Sequence, residues 1–177
     1  TFPEYNNLHF PYHGDLVENF EKDVQGLTDG RIKLFFSQEV AFSDAPLWFH
    51  NGYVQDNNHW SEVKINDTPG CDVKITWDIS RFHWIQQLAC AFKAFEDKKY
   101  LDLIDEWFLS WCNENRYNQG VNWACGQECA IRIIHILNAS KIVNHLIFDK
   151  EILAETVTNH TSRIQATISY AISQDNN

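Results

Sequence analysis

The chain has 177 residues, of which 44% are hydrophobic, including 12 Phe, 7 Trp and 6 Tyr. This composition predicts a folded domain with a substantial core and excludes a disordered chain. The net charge of −10 argues against general binding to nucleic acid, which relies on Lys and Arg to neutralise phosphates. No apolar run approaches the roughly 20 residues that a membrane-spanning helix needs. We therefore expect neither nucleic acid nor a membrane as a partner.

The cysteine content bears on the compartment. An odd number of cysteines, four of them in predicted helices, indicates free and buried thiols. Such thiols favour a reducing, cytoplasmic compartment. The chain begins without Met and without a basic, hydrophobic signal sequence, so a processed chain or an excerpt is expected; a removed signal would instead mean a periplasmic or secreted protein. The five cysteines are Cys71, Cys90, Cys112, Cys125 and Cys129.

Residues 1–75 are predicted to form an irregular segment with short strands. A short amphipathic helix is expected around residues 16–24, ending at Gly26, and the stretch GRIKLFF that follows is typical of a strand. The sequence EVAFS continues the strand pattern after a turn. Residues 44–72 are rich in turn formers and are predicted to be a long ordered loop, a class that is often functional. The aromatic residues expected to hold it in place are Trp48, Phe49, Tyr53 and Trp60.

Residues 76–177 are predicted to form tandem antiparallel helical hairpins, so the fold class is all-α. The first helix is expected to start near Ser80, with Asp78 and Ser80 as caps. The second follows Asp97, the third covers residues 124–145 and the fourth covers residues 150–173. For the third helix the residues expected to face inwards are Ile133, Ile134, Leu137 and Ile142; for the fourth they are Leu153, Val157, Ile164, Ile168 and Ala171.

Two motifs lie on this helical part. The first, D-x-K-x-x-W-D-x-x-R, runs from Asp72 to Arg81, and the second, G-V-N-W-x-x-x-x-E-x-A-x-R, runs from Gly120 to Arg132. In this order they resemble the heparinase II/III family of polysaccharide lyases, from about Gly30 to the last residue. The resemblance implies that the hairpins are the N-terminal portion of an α/α toroid. It also implies an acidic, uronic-acid-containing polysaccharide as the partner.

The resemblance implies that the chain is part of a longer enzyme. In that family the toroid continues and a large antiparallel β-sandwich domain follows, and neither has a counterpart in this chain. Related lyases carry Asn-Asn-His after the fourth helix, and its second Asn contacts the uronate carboxylate. Asn177 would hold that position, so it is the candidate catalytic residue; a frayed polar terminus is the alternative. We expect the chain alone to be inactive and its exposed helix faces to favour self-association.

The chemistry of such a lyase requires donors around an acidic sugar. Removing the proton at C5 is possible only when the uronate carboxylate is neutralised, by Asn, His or Arg. The substrate-binding candidates are Trp77, Arg81, Trp84, Asn122, Trp123, Glu128 and Arg132. Each has an alternative role: the arginines in salt bridges with Asp78 and Glu128, the tryptophans in the core, and Asn122 as a helix cap.

Other functions are less well supported by the sequence. An α/α-toroid glycoside hydrolase would need two carboxylates about 5–10 Å apart, and only Asp72, Asp78 and Glu128 are suitably placed. A carbohydrate-binding or scaffold module without catalysis is the third class. Cys125 and Cys129 have helical spacing, but no second pair completes a zinc site. We therefore predict no metal and no cofactor.

Overall fold

The computed structural model describes residues 14–35, 37–65, 70 and 72–173, with side chains from residue 18 onwards, and these residues are mostly helical. The helices are α1 (Gly14–Thr28), α2 (Val73–Ile79), α3 (His83–Phe95), α4 (Lys99–Glu114), α5 (Gly126–Val143), α6 (Lys150–Gln165) and α7 (Ile168–Ser173). Strands β1 (Arg31–Leu34) and β2 (Gln38–Ala41) pair in antiparallel register, with Ile32 opposite Val40. None of the described helices combines the length and apolarity needed to cross a bilayer.

The start of the helical part differs from the prediction. The first motif forms its own short helix, α2, which Asp72 caps by accepting a hydrogen bond from the Lys74 backbone N–H at 2.9 Å. Asp78 is not a cap of the following helix, because it lies in the last turn of α2. Its carboxylate accepts a hydrogen bond from the Phe35 backbone N–H at 2.9 Å. The boundary predicted at residue 75 therefore falls inside a helix.

Helices α3 and α4 form the predicted antiparallel hairpin. The left-handed conformation of Glu96 ends α3, and the Asp97 carboxylate accepts a hydrogen bond from the Lys99 N–H at the start of α4. On α4, Ile104, Phe108 and Trp111 are buried at helical spacing. Helix α3 packs against α4 and α5, and α5 packs against α6. One hydrophobic core connects these helices with the β-hairpin.

The loop after β2 is held by hydrogen bonds to the helical part of the chain. The Trp48 indole N–H donates to the Ser110 hydroxyl at 3.1 Å, and Trp48 is only 1% exposed. Further along the loop, the Trp60 N–H donates to the Asn118 carbonyl at 2.9 Å. The Gly120 N–H, at the start of the second motif, donates to the Asn58 carbonyl at 3.0 Å, so the loop reaches that motif.

The inward faces of two helices were predicted only in part. Ile142 on α5, and Val157 and Ile164 on α6, pack against the core as expected. On α5, Ile134 and Leu137 are half exposed, whereas Glu128 and Arg132 are buried. Helix α5 is apolar on most of its circumference, so the pattern of apolar residues does not determine which face turns inwards. The polar contacts of Glu128 and Arg132 identify that face.

The predicted fourth helix is two helices. Residues 166–167 form a turn that separates α6 from α7. On α6, Leu153 is buried as expected, but its buried neighbours are polar: Thr156, His160 and Arg163. On α7, Ile168 is exposed, contrary to the prediction, and so is Ala171.

Candidate functional site

The two motifs meet through an ion pair between the turn after α2 and helix α5. Arg81 donates to both carboxylate oxygens of Glu128, with Nε–Oε2 at 2.7 Å and Nη2–Oε1 at 2.8 Å. Its third nitrogen, Nη1, donates to Asp78 at 3.1 Å. The side chains of Glu128 and Asp78 are 5% and 11% exposed, but that of Arg81 keeps 30% of its surface. The hydrogen bond with Glu128 is the main cause that raises the pKa of Arg81.

Arg132 lies beneath this pair and is fully buried. Its Nε donates to the Ser80 carbonyl at 2.9 Å, and its Nη2 donates to the Asn122 carbonyl. The guanidinium carbon lies 5.0 Å from the centre of the Trp111 ring, within cation–π range. Burial is the main cause that lowers the pKa of Arg132. The side chain therefore joins the backbones of both motifs.

The G-V-N-W stretch forms a 3-10 turn, Val121–Trp123, before α5. Asn122 does not cap α5; its Nδ2 donates to the Asn115 side chain at 2.7 Å. The Trp123 indole N–H donates to the Asn115 carbonyl at 3.0 Å, and the Trp77 indole N–H donates to the Val121 carbonyl at 3.0 Å. Four of these five residues are buried, and only Trp77 is partly exposed. The turn is thus fixed from both sides.

We call the set Asp78, Arg81, Asn122, Glu128 and Arg132 the motif junction. The predicted binding residues Arg81, Asn122, Glu128 and Arg132 all lie in this junction. Trp77 and Trp123 border it, because both make hydrogen bonds at the Val121–Trp123 turn. Trp84 is fully buried and its indole N–H donates to the Ile79 carbonyl at 3.3 Å, so it lies under the junction. Arg81 and Trp77 keep exposed surface, whereas the other predicted binding residues are buried. Asn177 lies outside the described residues.

Two residues of α6 contact the second motif without any signal in the sequence pattern that predicts it. Arg163 Nε donates to the Trp123 carbonyl at 2.6 Å, and its Nη2 donates to the Ala124 carbonyl at 2.8 Å. The guanidinium carbon also lies 3.5 Å from the centre of the Trp60 ring. Arg163 therefore ties the second motif to the long loop. The available signal was a basic residue on the last turn of a helix, which is too common to identify such a contact.

His160 is the second of these residues. Its ring lies 4.6 Å from the Trp123 ring and 6.2 Å from the Trp111 ring, and Nδ1 is 2.8 Å from the Thr156 carbonyl. A carbonyl can only accept, so Nδ1 carries the proton. Burial, together with the charge of Arg132, lowers the pKa of His160 to about 3. The imidazole is therefore neutral near pH 7.

Two histidines border the exposed side of the junction. His135 Nδ1 is 2.6 Å from the Arg81 carbonyl, and His83 begins α3 immediately after the turn. Burial lowers the pKa of His83, against the opposing effect of the Asp78 charge. Both side chains are half-buried. They add polar groups beside Arg81.

The acids considered for a hydrolase are all engaged as hydrogen-bond acceptors. Asp72 caps α2, and Asp78 and Glu128 both accept from Arg81. A general acid must instead hold a proton and deliver it to the glycosidic oxygen. The junction therefore offers a charged anchor and not a pair of free carboxyl groups.

The described residues hold no cluster of three or more His, Cys, Asp or Glu side chains that could bind a metal ion. Cys129 is buried, and its sulfur lies 3.7 Å from Arg132 Nη1. Burial raises the pKa of the Cys129 thiol, although the positive charge of Arg132 opposes this. Cys129 thus contacts the motif junction through Arg132.

Comparisons of the chain with protein-family models, with curated proteins and with solved structures gave no significant match.

Proposed function

We propose that this chain belongs to a polysaccharide lyase of the heparinase II/III type, which cleaves a uronic-acid-containing polysaccharide by β-elimination. The observation that carries the proposal is the bidentate pair between Arg81 and Glu128. Each residue ends or anchors one of the two motifs on which the family resemblance rests. The pair joins the end of the first motif, in the turn after α2, to the second motif on α5, as expected for residues of a shared site.

We further propose that the helices form part of an α/α toroid. Helix α3 packs against both its hairpin partner α4 and the next hairpin's first helix, α5, and α5 then packs against α6. Side-by-side packing of the first helices of successive hairpins is the contact that a toroid repeats. The half-exposed Ile134 and Leu137 lie on the side of α5 that a further layer would cover.

Arg81 is the proposed contact for the uronate carboxylate. Two carboxylates hold its guanidinium, yet the side chain keeps 30% of its surface for a ligand. A guanidinium has five N–H groups in a planar fork, so N–H groups remain for a ligand after three have been used. Trp77, at the border of the junction, offers a partly exposed indole on which a pyranose face can pack. The buried residues of the junction hold Arg81 and Trp77 in position.

The charge balance favours a simple uronate polymer over a highly sulfated one. Arg81 carries one positive charge between two carboxylates, and the whole chain carries a net charge of −10. Repulsion grows with each anionic group on the ligand, so a uronate unit with one carboxylate is opposed less than a unit that also carries sulfate groups.

Asn177 is the proposed catalytic residue of this chain. Its amide would neutralise the same uronate carboxylate while the C5 proton is removed. Amide and guanidinium donors lower the cost of the enolate-like intermediate because they are in place before charge develops. A non-catalytic carbohydrate-binding module is the second candidate, favoured by one observation: the junction acids and arginines are bonded to one another, which suits an anchor better than a proton-transfer site.

The test is an ultraviolet absorbance assay for new C4–C5 double bonds. The full-length protein is presented with a panel of uronic-acid polysaccharides, together with Asn177→Ala and, as a surface control, Asn138→Ala. Absorbance that rises with one polymer and is abolished only by Asn177→Ala supports the lyase. Release of reducing sugar without a rise would indicate a hydrolase. Binding without any product would leave the carbohydrate-binding module.

A further inference from the structure

The turn between α2 and α3 contains a strained residue. Phe82 has a φ of 67° and a ψ of 21°, a left-handed conformation that a bulky L residue rarely adopts. Its side chain is fully buried. Strain of this kind persists only where the surrounding structure holds it, and it concentrates at ligand clamps and active sites. The residue immediately before it is Arg81.

Helix α5 holds this turn at three points. Arg132 Nε donates to the Ser80 carbonyl at 2.9 Å, and His135 Nδ1 lies 2.6 Å from the Arg81 carbonyl. Glu128 binds the other end of the same residue, the Arg81 guanidinium. The carbonyls on either side are also bonded, to the Trp84 indole and to the Ile85 backbone N–H. The conformation of the turn is therefore determined at every carbonyl.

His135 takes part in this arrangement as a hydrogen-bond donor. A carbonyl oxygen only accepts hydrogen bonds, so Nδ1 carries a proton and donates it. Glu128, Arg132 and His135 follow one another at spacings of four and three residues, which places them along one face of α5. On this face, His135 bonds the backbone carbonyl of Arg81 and Glu128 bonds the Arg81 guanidinium.

We propose that His135 is a positioning residue for Arg81, fixing the backbone from which the guanidinium reaches the carboxylate of an acidic sugar. This inference rests on the proposed function and deepens it. His135 acts through Arg81 and makes no contact with the sugar. It fixes the Arg81 carbonyl, so that the two-pronged pair with Glu128 forms with the remaining N–H groups directed to the ligand.

The first arm of the test needs no ligand. The Arg81 side chain Nε–H is followed by nitrogen-15 NMR in the wild type and in His135→Ala, His135→Asn and the exposed control His145→Ala. The amide of Asn can replace Nδ1–H as a donor. We expect at least tenfold faster exchange of that hydrogen in His135→Ala, with near wild-type exchange in His135→Asn and in the control. Unchanged exchange in a folded His135→Ala chain would overturn the inference.

The second arm is a double-mutant cycle on the affinity for an unsulfated oligouronate. His135→Ala should weaken binding about tenfold on its own, and His135→Asn should restore it. In the Arg81→Ala background the same change should have no further effect, because the residue that it positions is gone. Equal losses in both backgrounds would contradict the inference. A wild-type chain that binds no uronate would refute the proposed function, while the exchange arm still decides whether His135 positions Arg81.

Discussion

Arg81 and Glu128, 47 residues apart in the sequence, are joined by two parallel hydrogen bonds of 2.7 and 2.8 Å. Glu128 is almost fully buried, so its carboxylate depends on the guanidinium for compensation. We predict that Glu128→Gln lowers the free energy of unfolding by about 2–3 kcal/mol. The exposed pair of Glu39 with Arg31, at 3.9 Å, provides the control. Glu39→Gln should change stability by less than about 0.5 kcal/mol, and equal effects in urea denaturation would contradict the role of the junction.

Replacing Arg132 should lower the free energy of unfolding more than replacing Glu128. Its replacement by Met keeps much of the volume but removes the donors to the Ser80 and Asn122 carbonyls. Two buried acceptors are then left without these partners, so we expect a loss of about 3–5 kcal/mol in unfolding free energy. Urea denaturation measures this, with the exposed Arg31→Met as the control. A loss below about 1 kcal/mol would mean that Arg132 does not join the two motifs.

The neutral imidazole of His160 makes stability depend on pH. Its pKa is about 3 in the folded chain and about 6.5 when exposed, so between these values the unfolded chain binds one more proton. The contribution is complete above about pH 6.5 and is lost as the pH falls towards 3, at about 1.4 kcal/mol per pH unit. We predict that His160→Phe flattens the slope of unfolding free energy between pH 7 and pH 5. The exposed His145→Phe should leave that slope unchanged, and an unchanged slope in His160→Phe would contradict a neutral, buried imidazole.

Gly120, the first residue of the second motif, is constrained by both conformation and space. Its φ is 73°, and a Cβ there would lie 3.1 Å from the Asp56 carbonyl oxygen. Gly52 has a φ of 82° but no described atom within 4 Å of such a Cβ, so it isolates the conformational cost. We predict that Gly52→Ala costs about 1 kcal/mol and that Gly120→Ala costs about 2–3 kcal/mol in unfolding free energy. Equal losses for the two variants in thermal denaturation would contradict the prediction, because they would mean that the loop shifts at Asp56 to make room for the Cβ.

The thiols of half-buried Cys112 and buried Cys129 should resist modification in the native chain. Burial, with a smaller effect of the Glu155 charge, raises the pKa of Cys112 to about 12, and burial also raises that of Cys129. The thiolate is the reactive form, so little of it exists at pH 8. We predict that a thiol-specific reagent leaves both residues unlabelled by mass spectrometry under native conditions and labels them after denaturation. Rapid native labelling of Cys112 would contradict this.

The α3–α4 hairpin and the two short strands could be predicted from the sequence, because apolar spacing and turn residues are local signals. The inward face of α5 could not, since its apolar residues surround the helix and the face is determined by Arg132 and Glu128. Helix α2 was missed because it is only seven residues long and its cap, Asp72, resembles a loop residue.

Within the site, the motifs identified Arg81, Glu128 and Arg132, which the structure brings together. They did not reveal which of these residues would be buried, because burial is decided by the packing of α2 against the turn before α5. The contribution of α6 was also invisible, since Arg163 and His160 bond to backbone carbonyls that a sequence does not display.

The most direct test of the account compares an unsulfated oligouronate with its carboxyl-reduced, neutral counterpart, in a calorimetric titration of this chain. We predict that the wild type binds the acidic oligosaccharide about tenfold more tightly than the neutral one, a difference of about 1.4 kcal/mol in binding free energy. Arg81→Ala should abolish that preference, and Arg31→Ala should retain it. Equal affinity of the wild type for both ligands, or a preference that survives Arg81→Ala, would contradict the claim that Arg81 recognises the uronate carboxylate.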